Sequence, residues 1–275
     1  MEVAAGLILS FVSALAVNWA YAREHDAANT LPPLSARRPL ESARKLIGSR
    51  AWLVGFAAET GGWLVYLAAL RLAPLALVQT VGASGIAVLV VIETGGHPGR
   101  LRRHERVGAA AAVAGLALVA LSLVGSAPVD HAPRPVEAVL WLGACAGAAL
   151  LVALVRTRVS HAAALGASAG LLFAAGDISA KLLVFGGGWL IVLVPLVVAY
   201  ALGSIELQSA FQHGDALSAA GLATLATNAV PIAAGIVLLR QTRPSGAQGV
   251  VELVAFGLLV LSATLLSRPR GAARG

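Results

Sequence analysis

The chain has 275 residues, of which 58% are hydrophobic and only 12% are charged. Soluble domains carry roughly a quarter charged residues, so this composition excludes a soluble globular protein. The net charge of +7 does not indicate nucleic-acid binding, because the arginines are confined to particular loops and do not form one folded basic face.

The apolar residues form continuous stretches, each about long enough to cross the hydrocarbon core of a bilayer as one helix. Their richness in Leu, Ala and Gly argues against a transmembrane β-barrel, whose short strands alternate apolar with polar residues. We therefore predict an all-α, polytopic transmembrane helix bundle of about nine helices. The predicted helices span 2–22, 51–70, 74–92, 107–124, 136–155, 162–184, 189–211, 216–239 and 247–266.

The positive charges indicate the topology. Fifteen Lys and Arg residues lie in the loops 23–50, 100–106 and 156–158 and in the C-terminal tail, whereas the other connections hold four. By the positive-inside rule, the N-terminus is predicted outside and the C-terminus in the cytoplasm of a multi-pass inner-membrane protein. The segment 23–50 is then a basic cytoplasmic loop, and 1–275 is one transmembrane domain.

A weak internal repeat appears when the second and third predicted helices are laid over the seventh and eighth at an offset of 141 residues. Residues 1–125 then form a first half of four helices and residues 136–267 a second half of five. Helices one to four correspond to six to nine, with the fifth as connector. An offset of five helices reverses the direction, so we predict an inverted repeat, which is typical of secondary transporters.

Three segments carry a family resemblance. Trp52-Leu-Val-Gly55, the run AALRLAPLALVQTVGAS over 68–84, and Glu93 followed by a basic turn to Arg106-Val-Gly108 resemble the drug/metabolite transporter (EamA-like) superfamily. The likeness covers roughly 52–128, more faintly 162–267, and within the superfamily it points to the NIPA-like magnesium transporter branch. That resemblance implies a nine-helix carrier with a basic first loop. The branch tends to carry its intramembrane acid shortly before the Ala-Pro turn.

Glu59 is the first ionisable residue predicted at mid-bilayer depth, and it lies about one helical turn further back than that acid. The substrate therefore stays open, with Glu59 as the metal ligand if a divalent cation is carried. Trp63 and Tyr66 follow at i+4 and i+7 on the same helix face. Such a carboxyl beside two aromatic rings can hold a cation or exchange a proton. Alternatively, it is a protonated acid bonded to a neighbouring helix.

Asp177 and Lys181 lie four residues apart in the sixth predicted helix, the spacing that places opposite charges on one face. They form either a pair that orients the helix or a pair that substrate or a proton opens. Glu206 in the next helix is expected to approach them, since sequential helices are usually neighbours. Asn18 is the predicted symmetry neighbour in the first helix.

Two amides complete the candidate substrate-binding or coupling set. Asn228 shares a face with Thr224, Thr227 and Pro231 in the eighth predicted helix, and Gln79 follows the turn into the third. We assign both as hydrogen-bonding neighbours of the acids. Ordinary hydrogen bonding between helices is the alternative for each.

The sequence carries no motif of a metalloprotease, a serine hydrolase, a nucleotide-binding loop or a paired-cysteine site, so we expect neither an enzyme nor a bound cofactor. We predict a secondary transporter that moves a metabolite, amine or cation by alternating access, with proton coupling as an option. The expected partners are membrane lipid, a small-molecule or ion substrate and optionally a second copy in a homodimer, but no nucleic acid. The alternative is a membrane scaffold or regulatory protein whose basic loops bind anionic lipid.

Overall fold

The computed structural model describes residues 2–34, 38–82, 84–95, 97, 101–122, 130–154, 161–214, 216–241 and 246–266. Of the described residues 87% are helical and none lies in a strand, so the predicted all-α class is confirmed. The helices are α1 (Glu2–Ala28), α2 (Pro39–Ile47), α3 (Arg50–Leu72), α4 (Leu75–Gly82), α5 (Gly85–Thr94), α6 (Arg103–Ser122), α7 (Pro135–Leu154), α8 (His161–Val184), α9 (Leu193–Phe211), α10 (Ala216–Val237) and α11 (Ala247–Leu266). A 3-10 helix, Gly187–Val192, leads into α9.

Within the described residues, seven helical segments are long and apolar enough to cross a membrane. They are α1, α3, α7, α8, the 3-10 helix together with α9, the Ser218–Val237 part of α10, and α11. These segments indicate a multi-pass membrane protein. The third predicted crossing consists of two short helices, α4 and α5, and the fourth corresponds to α6, whose first turn is polar. The predicted nine crossings are therefore seven by this measure.

Pro74 sets the turn between α3 and α4. The residue before a proline is pushed out of the helical region of backbone space, and Ala73 accordingly has φ −142° and ψ 154°. α3 therefore ends directly before this pair of residues, and α4 begins directly after it. At the start of α3, the Ser49 side chain accepts a hydrogen bond from the Trp52 backbone N–H at 3.3 Å and caps the helix.

α8 and α10 form the centre of the bundle. In the membrane-spanning parts of α8 and α10, 72% and 67% of the residues are buried, compared with 17% for α7. α8 contacts α7, α9 and α10, while α10 also contacts α4, α5 and α11; α1 packs along α3, and α6 along α11. Because other helices surround α8, its ionisable side chains face protein rather than lipid.

Small residues let α8 and α10 approach each other closely. A Cβ atom on Gly166 would lie 2.3 Å from the backbone oxygen of Ala219, and one on Gly170 would lie 2.5 Å from the backbone oxygen of Ala223. Lipid gives helices no hydrophobic reason to associate, so close backbone packing holds them together instead.

We expect Gly166→Ala to destabilise the protein, because the new methyl group would meet backbone that cannot move without separating α8 from α10. Overpacking of this kind costs about 1–3 kcal/mol. Thermal unfolding of the purified protein in detergent measures it as a lower Tm. Gly143→Ala in α7 is the matched control, since nothing lies within 4 Å of its added Cβ. Equal Tm values for the two variants would contradict the close packing described above.

Candidate functional site

A cavity lies in the middle of the bundle, between α1, α3, α4, α8, α9 and α10. Its volume is about 100 Å³, which is room for several waters or a small solute. Seven of the predicted site residues line it: Asn18, Glu59, Trp63, Tyr66, Gln79, Asp177 and Asn228. Of the predicted set, Lys181 and Glu206 do not line this cavity.

The Asp177 carboxyl joins four helices through neutral donors. One of its oxygens accepts a hydrogen bond from Gln79 Nε2 at 2.9 Å, and the other accepts one from the Tyr200 hydroxyl. Gln79 Nε2 also donates to the Tyr66 hydroxyl oxygen at 2.6 Å. We call these four residues the Asp177 network. It connects α8 with α3, α4 and α9, so movement of any of these helices changes the surroundings of the carboxyl group.

Aromatic rings form one wall of the cavity. The Trp63 and Tyr200 rings meet edge to face with their centroids 5.4 Å apart, and the Phe173 ring lies 5.9 Å from that of Tyr200. The predicted aromatic neighbour of Glu59 thus packs on a second aromatic residue, Tyr200, which the sequence analysis did not select. This wall gives the cavity an apolar surface next to its acids.

Glu59 faces a second acid, Glu24, that the sequence analysis placed in a loop. α1 continues to Ala28 instead of ending at residue 22, so Glu24 is fully buried. Its carboxyl interacts with that of Glu59 and accepts a hydrogen bond from Gln208. Gly55 makes room for it, since a Cβ there would stand 2.6 Å from Glu24 Cγ.

The polar spacing of α1 could have revealed Glu24. Ser10, Ser13, Tyr21 and Glu24 recur at helical spacing along one face, and the first three line the cavity. Continuing this stripe one turn past the predicted helix end reaches Glu24. The charged residues Arg23 and Asp26 on either side of it made the segment resemble a loop.

Lys181 does not pair with Asp177. Its Nζ atom lies 2.7 Å from Asp130 Oδ2 and donates to the Leu70 backbone oxygen at 2.9 Å. Leu70 lies in the last turn of α3, where carbonyl groups lack helical partners and a lysine can satisfy them. Asp177 already has its own donors in the network, and Gln241 donates to Asp130. The predicted i,i+4 pair is therefore wrong, and Lys181 closes one end of the bundle.

Glu206 lies away from the cavity although α8 and α9 are neighbours. Its carboxyl interacts with Ser168, whose hydroxyl donates to Ala149 in α7 at 2.9 Å. Ser168 precedes Asp177 by nine residues, which corresponds to about 13 Å along a helix. The predicted approach of Glu206 to Asp177 and Lys181 therefore does not occur.

The two asparagines line the cavity in different ways. Asn228 Nδ2 donates to the Thr224 backbone oxygen at 2.6 Å, and Asn18 Nδ2 donates to the Ala14 backbone oxygen at 2.9 Å. Asn18 is 2% exposed, yet its Oδ1 has no hydrogen-bond partner among the described residues. Gly85 makes room for this side chain, since a Cβ there would stand 1.9 Å from Asn18 Nδ2.

Within the described part of the chain, no group of three or more His, Cys, Asp or Glu residues is arranged to hold a metal ion. Glu59 and Glu24 are two carboxyl groups without a third ligand of these types. The arrangement can bind protons or a singly charged cation through its carboxyl oxygens, while the donors of Gln79 and Tyr200 are already bound within the Asp177 network.

Breaking the buried ion pair is expected to destabilise the protein. The side chains of Lys181 and Asp130 are 7% and 8% exposed, so Lys181→Met leaves a buried carboxylate without its partner, at a cost of about 3–5 kcal/mol. Thermal unfolding in detergent measures the effect. Adding Asp130→Asn to Lys181→Met removes the uncompensated charge and restores part of the loss.

Lys45→Met is the control for this prediction. Lys45 pairs with Glu41 at 2.7 Å and lowers the pKa of that carboxyl through its hydrogen bond and charge, but the Glu41 side chain is 49% exposed. Water and salt screen such a pair, so we expect Tm to change little. A decrease in Tm as large as that of Lys181→Met would show that burial does not determine how much each ion pair contributes to stability.

Comparison of the chain with protein-family models, with curated proteins and with solved structures finds no match. The resemblance to the drug/metabolite transporter superfamily rests on the motifs between residues 52 and 128 and stays a prediction.

Proposed function

We propose that this protein is a secondary transporter that moves a small solute across the inner membrane by alternating access. The observation that carries the proposal is the central cavity, where Glu59 and Asp177 lie between predominantly apolar helices. Ionisable side chains at this depth are costly, and in membrane proteins they mark substrate, ion or proton pathways.

The helix contacts support two related halves. α1 packs on α3 as α8 packs on α9, α1 contacts α4 and α5 as α8 contacts α10, and α6 contacts α11. A Cβ on Gly62 would lie 3.3 Å from the Ser13 backbone oxygen, and one on Gly203 would lie 3.3 Å from that of Ala169. Gly203 follows Gly62 by 141 positions, the offset of the internal repeat. These correspondences favour the inverted repeat, with α4 and α5 together as the third of nine crossings.

Polar contacts close both ends of the cavity region. At one end, Lys181 joins Asp130 and the α3 terminus. At the other end, where α1 and α9 terminate, the Gln212 side chain donates to the Ala28 backbone oxygen at 2.9 Å and accepts from the Leu34 N–H at 2.8 Å. A carrier with two halves opens by breaking one set of contacts at a time. On the proposed topology the Lys181 end is outside, and the Gln212 end is cytoplasmic.

Protons are the proposed coupling ion. Glu24, Glu59 and Asp177 are carboxyl groups that can gain and lose a proton, and all three interact electrostatically with Tyr21, which lines the cavity. Exchange of protons for solute would keep the membrane interior close to neutral through the transport cycle.

We expect Glu59→Gln and Asp177→Asn to abolish solute uptake into proteoliposomes, because each removes a carboxyl group from the cavity while keeping its size. The solute for this assay is identified by a thermal-shift screen against amines, amino acids, divalent cations and lipid-linked sugars, since a ligand that binds the folded protein raises Tm. Glu206→Gln is the matched control, as it neutralises an intramembrane acid outside the cavity, and uptake should persist. Full uptake by both cavity variants would contradict the proposal.

A non-transporting membrane scaffold is the second candidate, and α2 favours it. This helix lies outside the apolar spans, and its Leu40 and Ile47 side chains are 86% and 64% exposed beside the exposed Arg38 and Arg44. Such a helix can rest on anionic headgroups. If the scaffold is correct, Arg38→Gln with Arg44→Gln abolishes complementation of a deletion strain, while Glu59→Gln complements fully. The transporter proposal predicts the reverse.

A further inference from the structure

The charge around the cavity is unbalanced. Glu59 and Asp177 line the cavity and the carboxyl of Glu24 interacts with that of Glu59, whereas no lysine, arginine or histidine of the described residues lines it. Lys181, the nearest base on α8, is occupied by Asp130. Ionised carboxyl groups in the membrane interior need a compensating positive charge. A proton or a cationic ligand must supply it.

The cavity also has an unpartnered acceptor, Asn18 Oδ1, beside two unpartnered groups that can donate, the Thr224 hydroxyl and the Trp63 indole N–H. Asp177 is satisfied by donors of its network, but the carboxyl of Glu59 meets another carboxyl, that of Glu24. Asn18 Oδ1 and Thr224 Oγ1, both in buried residues that line the cavity, have no hydrogen-bond partner among the described residues. Asn18 donates one amide hydrogen to the Ala14 backbone oxygen, and its Oδ1 is an acceptor without a partner. A buried acceptor without a partner costs free energy, and a ligand with N–H groups would remove that cost.

Glu59 and Asn18 lie at the same depth. α1 and α3 run antiparallel, with Gly62 against Ser13 and Val17, and Gly55 against Ala20 and Glu24. Glu59 lies about midway between the two glycines, so its level on α1 is that of residues 18–20. One small ligand can therefore reach the carboxyl group and Asn18 Oδ1 together.

The aromatic wall suits the rest of such a ligand. Trp63, Tyr200 and Phe173 present ring surfaces on the cavity that attract a cation and pack against an apolar body. A bare divalent ion finds little here, because hard cations take six or more oxygen ligands and tight sites supply several carboxylates. A quaternary ammonium ion would satisfy the charge but would leave Asn18 Oδ1 without a donor.

We infer that the cavity binds a small organic ammonium ion, with its N–H groups donating to Glu59 and Asn18 Oδ1 and its apolar body against Trp63 and Tyr200. This assignment rests on the proposed function for its role as a transported solute. The binding itself can be tested without any transport.

The test measures binding to the purified full-length protein in detergent by thermal shift and calorimetry. The probes are ethylammonium and benzylammonium, with ethanol and benzyl alcohol as neutral analogues, phenylacetate as an anion and benzyltrimethylammonium as a cation without N–H groups. We expect at least one primary ammonium ion to bind, its alcohol and the anion not to bind, and benzyltrimethylammonium to bind about tenfold more weakly than benzylammonium. Equal binding of the alcohol, stronger binding of the quaternary ion, or no binding of either ammonium ion overturns the inference.

Variants locate the site. Glu59→Gln and Asn18→Ala should each weaken ammonium binding by about tenfold or more, whereas Glu206→Gln should bind like the wild type. If Glu59→Gln does not fold, Asn18→Ala and the analogue series still decide the outcome. Unchanged affinity in a folded Asn18→Ala or Glu59→Gln variant overturns the assignment of these two residues.

Flux separates this inference from the proposed function. Ammonium binding without uptake into proteoliposomes would support the binding site and contradict the proposal that the protein is a transporter. Uptake of another solute, with no ammonium binding, would support the transporter proposal and contradict the ammonium site.

Discussion

The Asp177 carboxyl is the polar group on which the middle of this bundle depends. It lies on the most buried of the membrane-spanning helices, α8, and it accepts hydrogen bonds from the side chains of neighbouring helices. Gln79 and Tyr200 supply them from α4 and α9, and Gln79 is bound in turn to Tyr66 of α3. The position of four helices is thereby linked to the protonation and contacts of one side chain. A carrier needs such a link between its site and its helices.

Small residues and the network act together. Gly166 and Gly170 bring α8 against α10, Gly62 brings α3 against α1, and Gly203 brings α9 against α8. Close packing at these four places leaves the larger polar and aromatic side chains to meet around a hollow. The cavity lies among these tight contacts, and it is polar because Glu59, Asp177, Gln79 and the two asparagines line it.

The position of the single buried lysine determines the character of the site. Lys181 reaches one turn beyond Asp177 and pairs with Asp130 at the end of the bundle, so the centre keeps its carboxyl groups without a base. Glu24 adds a further acid beside Glu59. This separation of charges favours cationic over anionic solutes, and it places an ion pair where an outer closure would form in the proposed carrier.

The sequence by itself determined the helical membrane class, the turn at Pro74, and Glu59, Asp177, Gln79 and the asparagines as polar residues of the interior, because composition and helical spacing decide what can face lipid. Tertiary structure alone decided the partner of Lys181, the burial of Glu24 and the separation of Glu206 from Asp177. Long side chains choose partners across helices, and the length, rotation and depth of each helix come from packing against its neighbours. These quantities depend on residues far apart in the chain, so local patterns do not contain them.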